Sequence, residues 1–264
     1  MRSESIRIPA RYYRLFLEER PYGCDEKDFH YATEELEVPL ASCALVLVDL
    51  WSKHYCASWT RRAMDIVENR IVPVVEAARA SGMPVVHAPS QRLAERYEQS
   101  SVDFVPGDEE RFPAYASPDG EWPPPEFVRR EGEYLPYRRN YSPPMESWES
   151  EYEDQGIAPQ VGPRPGDRVV RSGPHMHRVL RKMGRLHLFF AGFATNMCLQ
   201  HRDYGIRAFS ERGYNTILIR DCTTAIESHD TVESLAGTRV FVQEIEMKYS
   251  FSVASEDFLG ACRA

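Results

Sequence analysis

Ala44-Leu45-Val46-Leu47-Val48-Asp49-Leu50 is an unbroken apolar run closed by an acid, and Pro84-Val85-Val86-His87-Ala88-Pro89 is a second. The helical pattern of Ile66 to Ser81 lies between them. Runs that are apolar at every position belong to strands covered on both faces, and a helix between two such runs is a parallel crossover. The rhythm resumes beyond residue 165, with strands expected at Arg168–Arg171, Leu186–Ala191, Thr216–Arg220 and Val240–Met247. Helical stretches fall near His175–Met183 and Asn196–Arg212. Gly82, Gly184 and Gly213 each follow a helical stretch and precede a strand, where a helix end takes a left-handed residue. Pro73 interrupts the first helical region, so a helix kinks or restarts there. The pattern predicts an α/β three-layer sandwich, with a central parallel sheet of about six strands and helices on both faces.

Around this core, the first 40 residues read as an N-terminal arm. The stretch from about 100 to 166 holds 12 of the 19 prolines, with Trp122, Trp148 and several tyrosines. It reads as an ordered proline-rich insertion, packed on the surface or against another subunit, or folded as a lid over a pocket. The whole of 1–264 is expected to be a single domain, in line with its length.

Composition narrows the function. Lys and Arg number 32 against 40 Asp and Glu, and a net charge of −8 argues against a broad grip on nucleic acid or anionic lipid. The longest apolar run, Leu186–Phe193, is far short of the roughly 20 residues that cross a bilayer. The opening residues carry no apolar stretch resembling a signal peptide. Six cysteines lie scattered with no Cys-x-x-Cys pair, as expected of reduced thiols in the cytoplasm. A small-molecule substrate is the expected partner.

In open parallel sheets, ligands bind at the carboxyl ends of strands. Asp49 ends one strand there, and Ala191-Gly192-Phe193-Ala194-Thr195-Asn196-Met197-Cys198 leads from another strand into a helix. A cysteine in the first turn of a helix is expected to have a lowered pKa, which makes Cys198 the candidate nucleophile. Asp49 is the candidate proton acceptor, and the backbone amides of Ala194 and Cys198 are the candidate oxyanion hole.

Gly192-Phe193-Ala194-Thr195-Asn196-Met197-Cys198 after an apolar strand, paired with Leu45–Asp49, resembles the isochorismatase-like cysteine hydrolase family. That family includes nicotinamidases and N-carbamoylsarcosine amidohydrolases. The resemblance covers about 43–90 and 160–255. It implies an α/β fold of the kind read above and hydrolysis of a small amide or ureide through an acyl-enzyme. It also implies a Cys–Asp–Lys triad and a cis peptide near Phe193–Ala194.

The family's lysine has no counterpart here. Its position falls on Ser172 or, one residue earlier, on Arg171, which is taken as the catalytic cation. A second partial match, Arg138-Arg139-Asn140-Tyr141-Ser142, offers Arg138, and Lys53 lies four residues after Asp49. Arginine stabilises negative charge but does not readily release a proton.

Trp51, His54, His87 and Thr195 are the candidate substrate contacts. His54 is also a candidate acid/base group, and His87 ends the second strand. Zinc-binding relatives carry Asp-x-His beyond that strand, whereas this chain reads Ala88-Pro89-Ser90-Gln91-Arg92. His175 and His177, at i and i+2, do not share a helix face. No metal and no cofactor are expected. The aromatic surface of the arm and the insertion points to a homo-oligomer, dimer or tetramer. Two alternatives stay open: a non-catalytic member that binds a metabolite or partner, and a thiol-independent hydrolase with Asp49 as general acid.

Overall fold

The computed structural model describes residues 4–107, 122–140, 143 and 153–263. Part of the proline-rich insertion, including Tyr141, Ser142 and Trp148, therefore lies outside the described residues.

Eight strands form one sheet: β1 (Ser5–Arg14), β2 (His30–Pro39), β3 (Cys43–Val48), β4 (Val85–Ala88), β5 (Arg168–Val169), β6 (His187–Gly192), β7 (Asn215–Ile219) and β8 (Phe251–Val253), in the order β2-β1-β8-β7-β6-β3-β4-β5. The six from β3 to β8 pair in parallel. They are the predicted parallel core, and an antiparallel hairpin of β1 and β2 extends it.

The reason β3 has no polar side is visible in its packing. Cys43, Leu45 and Leu47 join the core on one face of the sheet, and Ala44, Val46 and Val48 join the core on the other. The first face is covered by the helices Ala57–Ile66, Val72–Ser81 and Ser255–Arg263, and the second by Gly173–Lys182, Ile206–Glu211 and Ala236–Lys248. Every strand buried this way gains on both faces, at about 25 cal/mol per Å² of apolar surface.

A helix restarts at Pro73, as expected. A widened π turn, Val67–Ile71, joins the two helical segments, and Pro73 sits in the first turn of the second, where its missing N–H costs least. Gly82, Gly184 and Gly213 take φ of 85°, 67° and 87° at the helix ends, as expected.

Three expectations are corrected. Val240–Met247 lies in the helix Ala236–Lys248, where Val242, Ile245 and Glu246 are buried at helical spacing; the strand is the following Phe251–Val253. Asn196–Arg212 is two short helices, Cys198–His201 and Ile206–Glu211, rather than one. Within the expected N-terminal arm, Ser5–Arg14 and His30–Pro39 are built into the sheet. Ile6, Ile8 and Ala10 alternate into the core, and Arg11 pairs with Ser252 of β8 and bonds Glu246 at 2.8 Å.

The strand order places the site. β3, β4 and β5 step outward in one direction, and β6 returns to the other side of β3, with Val48 opposite Gly192. The crossovers therefore diverge between the carboxyl ends of β3 and β6 and leave a crevice there.

Candidate active site

Asp49 follows β3 directly, with φ of 44° and 1% of its surface exposed. Its Oδ1 accepts from Trp51 Nε1 at 3.1 Å, and the neighbouring Ser90 amide and Cys198 thiol also favour its charged form. Burial nevertheless raises the Asp49 pKa, because these donors and Arg202 only partly offset the loss of water.

Across the crevice, Gly192 has φ of 122°, and a Cβ there would lie 2.0 Å from the Val48 carbonyl oxygen. Only glycine lets β6 approach β3 this closely at its end. Phe193 N donates to that same Val48 oxygen at 2.9 Å, and the Phe193–Ala194 peptide is cis. The chain then curls round the Ala194 carbonyl, which accepts from Met197 N and Leu199 N, and this delivers Cys198 to Asp49. Among the described residues, no acceptor takes the Ala194 or Cys198 amide.

Cys198 does not have the lowered pKa expected of a helix start. Its helix is only four residues long, and burial together with the Asp49 charge pushes the thiol well above its ordinary value. The thiol is thus held in its protonated form beside Asp49.

Cys198 and Arg202 line a cavity of about 630 Å³, while Asp49 is buried and not among its lining residues. Trp51, His54, Tyr55, Trp59 and Phe193 form its aromatic wall, Met197 and Ile226 add apolar surface, and Gln91, Arg92, Glu95 and Gln155 add polar groups. His54 stacks on Tyr55 at 4.3 Å and tilts against Trp59 at 4.5 Å. Its Nδ1 accepts from Cys56 N, and burial lowers its pKa to about 4, so the ring is neutral at ordinary pH.

The other candidates are elsewhere. His87 is buried on the sheet face that meets the Val72–Ser81 helix, bonded to Asp167, and does not line the cavity. Thr195 turns behind the site, its hydroxyl 2.7 Å from that of Thr223. Arg171 does not reach Cys198; it donates to Ser100, pairs with Glu95 at 3.7 Å and covers the Phe104 ring. Ser172 is buried as the N-cap of Gly173–Lys182. Lys53 pairs with Asp154 at 2.5 Å, and Arg138, like Lys53, is not among the cavity-lining residues.

The cation beside the pair is one that the sequence reading missed. Arg202 Nε lies 3.8 Å from Asp49 Oδ2, and its charge also favours the thiolate of Cys198. The signal available in the sequence was its place four residues after Cys198, one helical turn on. Among the described residues, no group of three or more His, Cys, Asp or Glu side chains is arranged to hold a metal ion.

The sequence model of the isochorismatase domain matches residues 43–246. The chain belongs to the isochorismatase family. A solved cysteine hydrolase from Pseudomonas syringae pv. phaseolicola aligns over 86% of this chain and 94% of its own, at 17% identity with a TM-score of 0.54, and shares the fold. An isochorismatase family protein from Burkholderia thailandensis aligns over 85% and 97% at 18% identity, with a TM-score of 0.47. N-carbamoylsarcosine amidase from Thermoplasma acidophilum aligns over 81% and 97% at 17% identity, with a TM-score of 0.42. No curated protein sequence matches the chain. As a member of an isochorismatase-like hydrolase family, the protein is a hydrolase that fits a small-molecule substrate. No helix among the described residues is long and apolar enough to cross a membrane.

Proposed function

We propose that this protein hydrolyses the C–N bond of a small amide through Cys198. The observation that carries this reading is the Cys198 thiol on an aromatic cavity, next to buried Asp49 and beside two amides that no acceptor takes among the described residues. As sulfur attacks the amide carbonyl, the thiol proton passes to Asp49, whose raised pKa suits it to receive one. The Ala194 and Cys198 amides hold the oxygen that becomes negative. Asp49 returns the proton to the departing nitrogen, leaving a thioester and a free amine or ammonia. Water then gives a proton to Asp49 and attacks the thioester, and the carboxylic acid leaves as the thiol is re-formed.

The neutral His54 ring serves in this scheme as part of the wall and not as an acid. Its neighbours Trp51, Tyr55 and Trp59 favour a flat substrate, which gains by stacking. A screen of flat primary amides for ammonia release, with intact-mass detection of the thioester, tests the assignment. Release that disappears in Cys198→Ala supports it. Full release in that variant overturns the thiol and moves the chemistry to Asp49 alone.

Two further assignments belong to the same reading. Exposed Leu15, Phe16 and Tyr22 near the hairpin, and Leu135 and Tyr137 in the insertion, support a homo-oligomer. Light scattering that returns 30.4 kDa would overturn it. The six free cysteines suit a reducing compartment such as the cytoplasm.

A further inference from the structure

We infer that Arg202 is the catalytic cation of this site, filling from the nucleophile's own helix the role that no lysine of the chain reaches. The inference rests on the thiol reading above and concerns which positive charge that thiol works against.

The local chain explains how Arg202 arrives there. The helix that starts at Cys198 stops after one turn, and the Arg202 amide donates to the Cys198 carbonyl at 3.1 Å. That bond stacks residue 202 over residue 198 and turns its side chain along the cavity wall. The guanidinium carbon lies over the fully buried Tyr204 ring, 6.0 Å from its centroid. Only 13% of the Arg202 side chain is exposed. Arg62 binds Thr224 and Ala225, Arg171 binds Ser100 and Glu95, and Lys53 binds Asp154, while Arg92 lines the cavity without an ion pair to Asp49 within 4 Å. Among the described residues, Arg202 is the cation within 4 Å of Asp49.

Its position beside both Asp49 and Cys198 sets what it does. A guanidinium stays charged throughout and so carries no proton. In the first half-reaction one proton leaves Sγ for Asp49, and the negative charge moves from the carboxylate to sulfur and on to the carbonyl oxygen. Arg202 lies against the first two of these positions, so the charge moves between them without leaving the same cation. It lowers the energy of the thiolate at the instant of attack, and every proton transfer runs through Asp49. The separation also frees the chain after β5. Ser172 caps a helix there, and Arg171 ties Ser100 and Phe104 to it.

Alkylation of Cys198 by iodoacetamide, itself a small amide, reads this directly without a known substrate. Rates at each cysteine of the full chain are followed by peptide mass spectrometry in wild type, Arg202→Ala and Arg202→Lys. The expected result is a fall of about tenfold or more at Cys198 in Arg202→Ala, with Cys56 unchanged and partial recovery in Arg202→Lys. Millimolar guanidinium chloride should restore the Arg202→Ala rate, whereas sodium chloride at the same ionic strength should not. Recovery by guanidinium also shows that the variant is folded. Equal Cys198 rates in wild type and Arg202→Ala, or a loss that neither lysine nor guanidinium restores, would overturn the inference. A wild-type Cys198 no faster than buried Cys43 would instead remove the thiol reading beneath it.

Discussion

Two of the buried carboxylates, Asp49 and Asp167, each lie beside an arginine and a further titratable side chain, and the two clusters have opposite characters. At the β4–β5 edge, Asp167 Oδ2 takes Arg79 at 2.5 Å, the Arg164 amide at 2.9 Å and His87 at 3.3 Å. Those donors outweigh burial and pull the Asp167 pKa down to about 2. At the β3–β6 crevice, Asp49 has its arginine at 3.8 Å and a neutral thiol beside it, and burial wins, raising its pKa. A carboxylate saturated with close charged donors has no reason to accept a proton. One left short of them, beside a thiol that lines a cavity, is held ready to do so.

The largest effect should separate the clusters by function. Asp49→Asn keeps the shape of the side chain and removes the proton acceptor, so amide hydrolysis should fall by about 10³-fold, within the range for loss of a general base. Asp167→Asn should leave the rate per folded molecule unchanged. An Asp49→Asn enzyme with near wild-type turnover would erase the functional half of the comparison. Next in size, Gly192→Ala forces a Cβ to 2.0 Å from the Val48 carbonyl oxygen at a φ of 122°, backbone against backbone. A loss of about 3 kcal/mol or more is expected, because neither strand can yield without breaking the core. Urea unfolding checks it, and a midpoint equal to wild type would mean that the close approach of β3 and β6 is not needed.

Asp167 makes the complementary prediction in stability. Its pKa is depressed in the folded state, from an ordinary 3.8 to about 2, so its contribution is full above about pH 4 and disappears as pH falls through 2. The shift corresponds to about 2 kcal/mol. Asp167→Asn should lose stability of that order at pH 7 and show a shallower decline between pH 4 and 2 than wild type. Parallel acid-unfolding curves for the two proteins would show that the cluster does not hold the β4–β5 edge.

The two sites were unequally legible in the sequence, for physical reasons. Asp49 and Cys198 could be read because they follow the carboxyl ends of two largely apolar strands, Asp49 directly and Cys198 after the loop Phe193–Met197. His87 also falls at such an end, but which face it takes depends on strand parity. Val86 and Ala88 pack toward one core, and His87 goes with Val85 toward the other, where Arg79 and Asp167 wait. Arg171 was placed by analogy with a motif, whereas its surroundings are set by Ser100, Glu95 and Phe104, more than 65 residues away in the chain. Arg202 was hidden because its position depends on the helix ending after one turn, and element ends are the least determined feature of a sequence. The hairpin carries a clear period of two in Ile6, Ile8 and Ala10, but its pairing with β8 joins residues some 240 apart.

The smallest predicted effect probes how finely Asp49 is balanced. Trp51 Nε1 gives Oδ1 one neutral hydrogen bond at 3.1 Å, against the charged arginine that Asp167 receives at 2.5 Å. Trp51→Phe keeps an aromatic surface on the cavity wall and removes that donor, which is worth about 1 kcal/mol. The carboxylate then becomes less stable relative to its protonated form, and its pKa rises further. The acid limb of kcat should move to higher pH, and the rate below that limb should fall several-fold while the alkaline plateau stays near wild type. A uniform drop at every pH would mean that Trp51 acts through substrate stacking alone. An unchanged profile would mean that burial and Arg202 already set the Asp49 pKa by themselves.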